Sequence, residues 1–236
     1  MTMTLHPFLA ARPGLSSFFG DSLGVDHDGA FGQYEDMHLR SVFQPLVDVV
    51  HGKPVAYEAL LRVNGGAIPP YEAFDRPQGV GNIVYFDRLC RSLHAVNFAR
   101  QAGADDVLYL NIHGRHLVNV EGGSHGSIFE TLLGYCGLKP SQVVLEVLES
   151  HIDDNDRLVE AVAAYQQRGY RVAIDDFGCR HSNFDRLWLL SPNIVKLDRE
   201  LLVQSGSNPR ARLILPKLIE IIHDLGAQVV CEGVET

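Results

Sequence analysis

The residues with the clearest chemical potential are polar ones at the ends of apolar runs. Glu58 lies within VAYEALLRV, Asn111 ends LYLNI, and Glu146 interrupts VVLEVLE. Asp175 and Asp176 follow VAI, Lys196 interrupts IVKLD, and Glu232 follows VVC. A single Asp or Glu at such a place is ordinarily a solvated loop residue or a helix cap. A set recurring at corresponding points of successive runs is different, because converging carboxylates repel one another and cost several kcal/mol in desolvation unless cations are present. Five carboxylates and an amide oxygen form an all-oxygen ligand set. That set favours Mg²⁺ or Mn²⁺ over zinc, which prefers His and Cys. Such cations suit metal-assisted attack of water on a phosphate ester.

These side chains meet only if the runs that carry them are neighbouring strands. SVFQPLVDVV and KPVAYEALLRV flank His51 and Gly52, which predicts an antiparallel strand pair. Five later runs are short, β-branched and almost continuously apolar: Leu108 to Ile112, Val143 to Glu149, Val172 to Phe177, Ile194 to Asp198 and Val229 to Val234. They are expected as parallel strands covered on both faces. Helical periodicity runs from Ile83 to Gln101 and from Asp156 to Arg168, and resumes after Asn208 and Pro209, with Pro216 expected to kink that last helix or delay its start. This alternation predicts an α/β fold, a TIM-like (β/α)8 barrel with an antiparallel first strand, whose strand ends converge on one mouth. The sequence supplies seven such strands and leaves the last strand of an eight-stranded barrel without a counterpart. Residues 1–34, rich in Gly and Ser, are expected as a flexible arm, and residues 35–236 as the barrel domain.

Composition excludes other classes. With 236 residues, 46% of them apolar, the chain can bury a substantial core, and a net charge of −9 disfavours a long nucleic acid as partner. No apolar run approaches the roughly 20 residues of a membrane span, and Met1 to Ala11 lacks the pattern of a signal peptide. Cys90, Cys136, Cys179 and Cys231 form no CxxC pair, which fits a reduced, cytoplasmic setting. Cys179 and Cys231, both beside the expected ligand strands, are expected as buried thiols rather than a redox pair.

Together these motifs resemble the EAL-domain phosphodiesterases, which open cyclic di-GMP into linear pGpG. The resemblance rests on Glu58-Ala59-Leu60 with Arg62, LNI with Asn111, Glu146 with Glu149, DDFG at Asp175 to Gly178, KLD at Lys196 to Asp198, and EGVET from Glu232. It implies that Glu58, Asn111, Glu146 and Asp175 hold one metal, and that Asp175, Asp176 and Glu232 serve a second. Lys196 would hold or help deprotonate the attacking water, Glu149 would anchor the loop after DDFG, and Arg62, Gln44 and Glu235 would support the substrate. A homodimer is also implied, and a protein partner could be reached through the N-terminal arm. The sequence departs from the family after DDFG, where Cys179, Arg180, His181 and Asn183 replace the usual residues and an arginine stands in place of a glycine. His181 is expected to pack in place of a tyrosine. That departure defines the alternative, a catalytically impaired cyclic di-GMP receptor that signals to a protein partner.

Overall fold

The computed structural model describes residues 13–103, 105–120, 126–148, 154–178 and 184–234. Nine strands form one sheet in sequential order: β1 Leu23–Asp26, β2 Gly29–Tyr34, β3 Met37–Asp48, β4 Lys53–Val63, β5 Leu108–Ile112, β6 Val143–Leu148, β7 Arg171–Phe177, β8 Ile194–Leu197 and β9 Gln228–Cys231. Strands β1 to β4 pair antiparallel, and every pair from β4 to β9 is parallel. Each expected strand is present, shifted by a few residues at its ends.

One expectation about the strands changes. Strands β1 and β2, together with helix α1 Pro13–Phe19, replace the flexible arm over residues 13–34. Leu15, Phe19, Leu23 and Ala30 are buried in the main core, and the Phe19 ring meets Tyr85 edge-on at 5.8 Å. The strand signal was diluted by glycines, one of which the turn requires. Gly29 opens β2 at φ 127, where an added Cβ would lie 2.8 Å from Asn97 Oδ1. That amide oxygen instead accepts from Ala30 N at 2.8 Å while Asn97 Nδ2 donates to Ala30 O at 3.0 Å, so one side chain pairs with both backbone groups of the hairpin.

The open edge agrees with the count of seven strands: among the described residues β9 pairs with β8 alone, so the sheet is an open, curled barrel. Its curl is nonetheless strong enough to bring Lys196 on β8 against Glu58 on β4, at 3.2 Å.

Helices cover the outside: α2 Pro70–Asp75, α3 Val80–Ala99, α4 Gly114–Asn119, α5 Ser127–Cys136, α6 Asn155–Gln167, α7 Arg186–Leu189, α8 Arg199–Ser207 and α9 Pro209–Asp224. Asn208 caps α9 by accepting from Arg210 N at 2.9 Å, and this helix starts at Pro209 with Pro216 inside it, so the proline does not delay the start. The main core fills the space between helices and sheet. A second, smaller cluster of Ala56, Tyr109, Val144, Ala173 and Ile194, joined by Leu46 and Val230, has one member on each strand from β3 to β9 and lines the concave face. Among the described residues no helix is long and apolar enough to cross a membrane.

Candidate active site

The concave apolar cluster positions the polar one. Side chains alternate across a strand, so a residue two positions on shares the same face. Stepping two residues toward the C-terminal end converts Ala56 to Glu58, Tyr109 to Asn111, Val144 to Glu146, Ala173 to Asp175, Ile194 to Lys196 and Val230 to Glu232. On antiparallel β3 the same step converts Leu46 to Gln44, which faces Glu58 in register. An apolar floor therefore carries a polar ring directly above it. Glu232 lies just past β9, but its N–H continues the ladder by donating to Leu197 O at 3.1 Å.

Lys196 is the centre of the ring. Its Nζ lies 2.7 Å from Glu146 Oε1, 2.7 Å from Glu232 Oε1, 2.9 Å from Asp175 Oδ1 and 3.2 Å from Glu58 Oε2. Burial alone would push the ammonium toward losing its proton, but the carboxylates of Glu146, Asp175 and Glu58 outweigh it and hold the pKa above its ordinary value. The group is therefore held as an ammonium here.

The carboxylates are strained electrostatically. Burial, opposed by Lys196 but reinforced by Glu58 and Asp175, pushes the Glu146 pKa well up. Burial, with Asp175 and Glu232 adding to it against Lys196, raises that of Glu58. Asp176 is pushed up to about 6 by burial and by the neighbouring charges of Asp175, Glu232 and Asp198. The paired aspartates owe their placement to an irregularity in β7, whose register against β8 shifts between Ile174 and Phe177. Asp176 adopts φ 54 there, a left-handed conformation that a short polar side chain tolerates better than a β-branched one. As a result ligand oxygens of Asp175, Asp176 and Glu232 come within 4.8 Å of one another.

This donor set fits hard divalent cations. It is built from oxygens, it carries more carboxylates than the single ammonium can neutralise, and the buried Glu146 Oε2 has no hydrogen-bond partner among the described residues. Asn111 pairs in register with Glu146, which sets its amide beside the ring. Gln44 is exposed opposite Glu58. Arg62 shares the face of Glu58 but is exposed, and its Nη1 donates to Leu61 O at 3.0 Å rather than to the carboxylates. Glu149, Glu235, Cys179 and His181, with the rest of the altered loop, lie outside the described residues. Cys231 is exposed, not buried as expected, because it sits on the edge strand, which among the described residues pairs on one side only.

One contributor was not anticipated. Asp87 on α3 accepts from His113 N at 3.0 Å, which ties down the chain two residues after Asn111. Its only signal in the sequence is the i, i+4 spacing of Asp87 and Arg91.

A curled, mainly parallel sheet with an acidic ring at its strand ends and a lysine at the centre is a barrel-type site whose oxygens suit divalent cations. The chain belongs to the EAL-domain family, whose EAL domain matches residues 30–236. Among curated relatives it is similar to the cyclic di-GMP phosphodiesterase RocR of Pseudomonas aeruginosa, 29% identical over 209 residues that make up 84% of this chain and 51% of RocR. It is also similar to the cyclic di-GMP phosphodiesterase PA2567 of the same organism, 28% identical over 217 residues, 88% of this chain and 35% of that one. The chain thus spans about a third to a half of the length of these relatives. Among solved structures it is similar to BlrP1 of Klebsiella pneumoniae in a calcium and cyclic di-GMP complex, with a TM-score of 0.75 and 27% identity over 84% of this chain and 50% of BlrP1. A manganese complex of BlrP1 also matches, with a TM-score of 0.74.

Proposed function

We propose that this chain hydrolyses cyclic di-GMP to linear pGpG with two divalent cations, Mg²⁺ or Mn²⁺. The observation that carries the reading is the convergence of Glu58, Glu146, Asp175 and Glu232, from four separate strand ends, on a single buried ammonium. Glu58, Asn111, Glu146 and Asp175 would hold one cation, and Asp175, Asp176 and Glu232 the other. When bound, such cations supply Lewis-acid polarisation of a phosphate oxygen and a more acidic water. Lys196, held as an ammonium, orients the attacking water by donating from Nζ and offsets charge developing on the phosphate. Arg62, exposed on the same strand face, supplies a guanidinium for a substrate phosphate, and Gln44 an amide beside Glu58. Water adds to phosphorus, one bridging P–O bond breaks, and the departing oxygen takes a proton. Glu149 and Glu235 keep the supporting roles that the resemblance implies.

The test is a chromatographic assay of the full-length protein with cyclic di-GMP and Mg²⁺ or Mn²⁺, run beside Glu58→Ala. Metal-dependent pGpG formation that disappears in the variant is the expected result. Unchanged product from Glu58→Ala overturns the assignment, and binding without product in the unaltered protein identifies a receptor.

A further inference from the structure

The face that carries Glu58 does not stop at the acidic ring. Beyond Glu58 and its register partner Gln44, strands β4 and β3 continue with Leu60 opposite Val42 and Arg62 opposite Arg40. Alternation puts all of these side chains on one face, with the arginine pair roughly 14 Å along the strands from the Glu58 pair. Like charges directly opposite one another are destabilising unless something answers them. The N-terminal hairpin answers one of the two. Asp26 accepts from Arg40 Nη1 at 3.0 Å and more closely from Nη2, and Gly29 O lies 3.5 Å from Nη1. The guanidinium carbon lies 5.3 Å from the centre of the Phe31 ring. Phe31 is fixed in turn by Gly24 opposite it, where an added Cβ would meet Phe31 Cζ at 2.3 Å. A guanidinium has five N–H donors in a rigid fork. Two go to Asp26 and one to Gly29 O, so Nε and the remaining hydrogen of Nη2, which share one edge, have no partner among the described residues. The side chain that carries this edge is 26% exposed.

Asp26 decides what that edge suits. Arg40 holds the Asp26 carboxyl down at about 2, so at neutral pH a carboxylate already answers the guanidinium charge. A second anion would meet that carboxylate, whereas a neutral group with two adjacent acceptors would not. Guanine presents such a pair in O6 and N7. We propose that Arg40, held by Asp26 and Phe31, forms a subsite for the second nucleotide: its Nε–Nη2 edge reads O6 and N7 of the guanine farther from the reacting phosphate, while Arg62 opposite takes the phosphate. Asp26 precedes residue 30, where the family match begins, so the match does not include the carboxylate that holds Arg40. This subsite deepens the cyclic di-GMP reading above and rests on it.

The test is calorimetric titration of the full-length protein in Ca²⁺ with cyclic di-GMP and with its 7-deaza analogue, in which a carbon replaces N7. The unaltered chain should bind the analogue about fivefold more weakly. Arg40→Met, which keeps an apolar stem over Phe31, should bind cyclic di-GMP about tenfold more weakly and should bind the two ligands alike. Arg40→Lys keeps the ion pair with Asp26 and so guards against a disturbed hairpin; lacking the two-donor edge, it too should bind the two ligands alike. A variant that weakens both ligands equally and keeps the fivefold preference contacts something other than the base edge, and that result overturns the inference, as does unchanged binding. Binding of cyclic di-GMP without preference for N7 in the unaltered chain overturns the subsite and leaves the cyclic di-GMP reading standing. Absence of cyclic di-GMP binding in the unaltered chain overturns both.

Discussion

Two buried ionic clusters lie on opposite sides of the sheet, and they are built to opposite rules. On the helix side, Asp87 Oδ2 accepts from Arg91 Nε at 2.8 Å and from Arg91 Nη2 at 2.5 Å, while Oδ1 takes the His113 N–H. His116 Nδ1 lies 3.2 Å from the same carboxylate, and the Arg91 guanidinium stacks 4.4 Å from the centre of the Phe129 ring. One acid meets one guanidinium, and helix, turn and strand end are tied together. On the concave side, four carboxylates share one ammonium; among the described residues Glu146 Oε2 there, like Arg91 Nη1 on the helix side, has no hydrogen-bond partner. The balanced cluster stabilises the fold. The unbalanced one costs stability, which in the function proposed above keeps oxygens available for cations.

The sharpest way to break this contrast is to remove one acid from each cluster. Glu58→Ala should reduce pGpG formation by at least about a thousandfold, measured by chromatography, while its thermal midpoint in chelator stays level or rises, because a repelling charge has gone. Asp87→Ala should do the reverse to stability. It strands the buried Arg91 guanidinium and should cost about 3–5 kcal/mol in urea unfolding. A Glu58→Ala variant that unfolds as readily as Asp87→Ala would remove the distinction between the two clusters.

Acidity separates the clusters more gently. Asp176, Glu58 and Glu146 have raised pKa values in the folded state, so the fold binds protons more tightly than the unfolded chain does. Their contribution is fully present below the unfolded carboxylate value and is lost as pH rises through the folded one. With chelator present, stability should therefore increase as pH falls from about 7 to about 5, and Mn²⁺ should flatten or reverse that slope. Asp87 works with the opposite sign. Burial would raise its pKa, but Arg91 and His116 prevail and hold it below the ordinary range. Its stabilisation is present above the unfolded carboxylate value and disappears as pH falls through the folded one. Unfolding in urea across this range checks both signs. The smallest effect belongs to an exposed pair, Arg76 with Asp36 at 2.9 Å, where Arg76→Ala should shift stability by no more than about 0.5 kcal/mol by the same measurement.

Much of the site was legible because its residues obey a strand's own period. Glu58, Asn111, Glu146, Asp175, Lys196 and Glu232 each stand two positions beyond a residue that faces the concave side, and alternation within short apolar runs carries that information. The helix capped by Asn208 was equally local. The N-terminal hairpin was not legible, since its small residues carry little periodic signal and its place depends on Asn97, 67 positions from Ala30. The open edge at β9 was legible, since the strand-like runs from SVFQPLVDVV onward number seven.

What the sequence determined by itself was the list of acids, their strand faces and their common end, because these depend on consecutive residues and a fixed backbone repeat. What only the tertiary structure decided was the charge state at the centre. Burial and carboxylate attraction pull the pKa of Lys196 in opposite directions, and their balance depends on how closely Glu58, 138 residues away, and the other acids approach Nζ. That approach is set by the curl of the whole sheet. Electrostatic energy depends on distance in space, which strand periodicity does not contain.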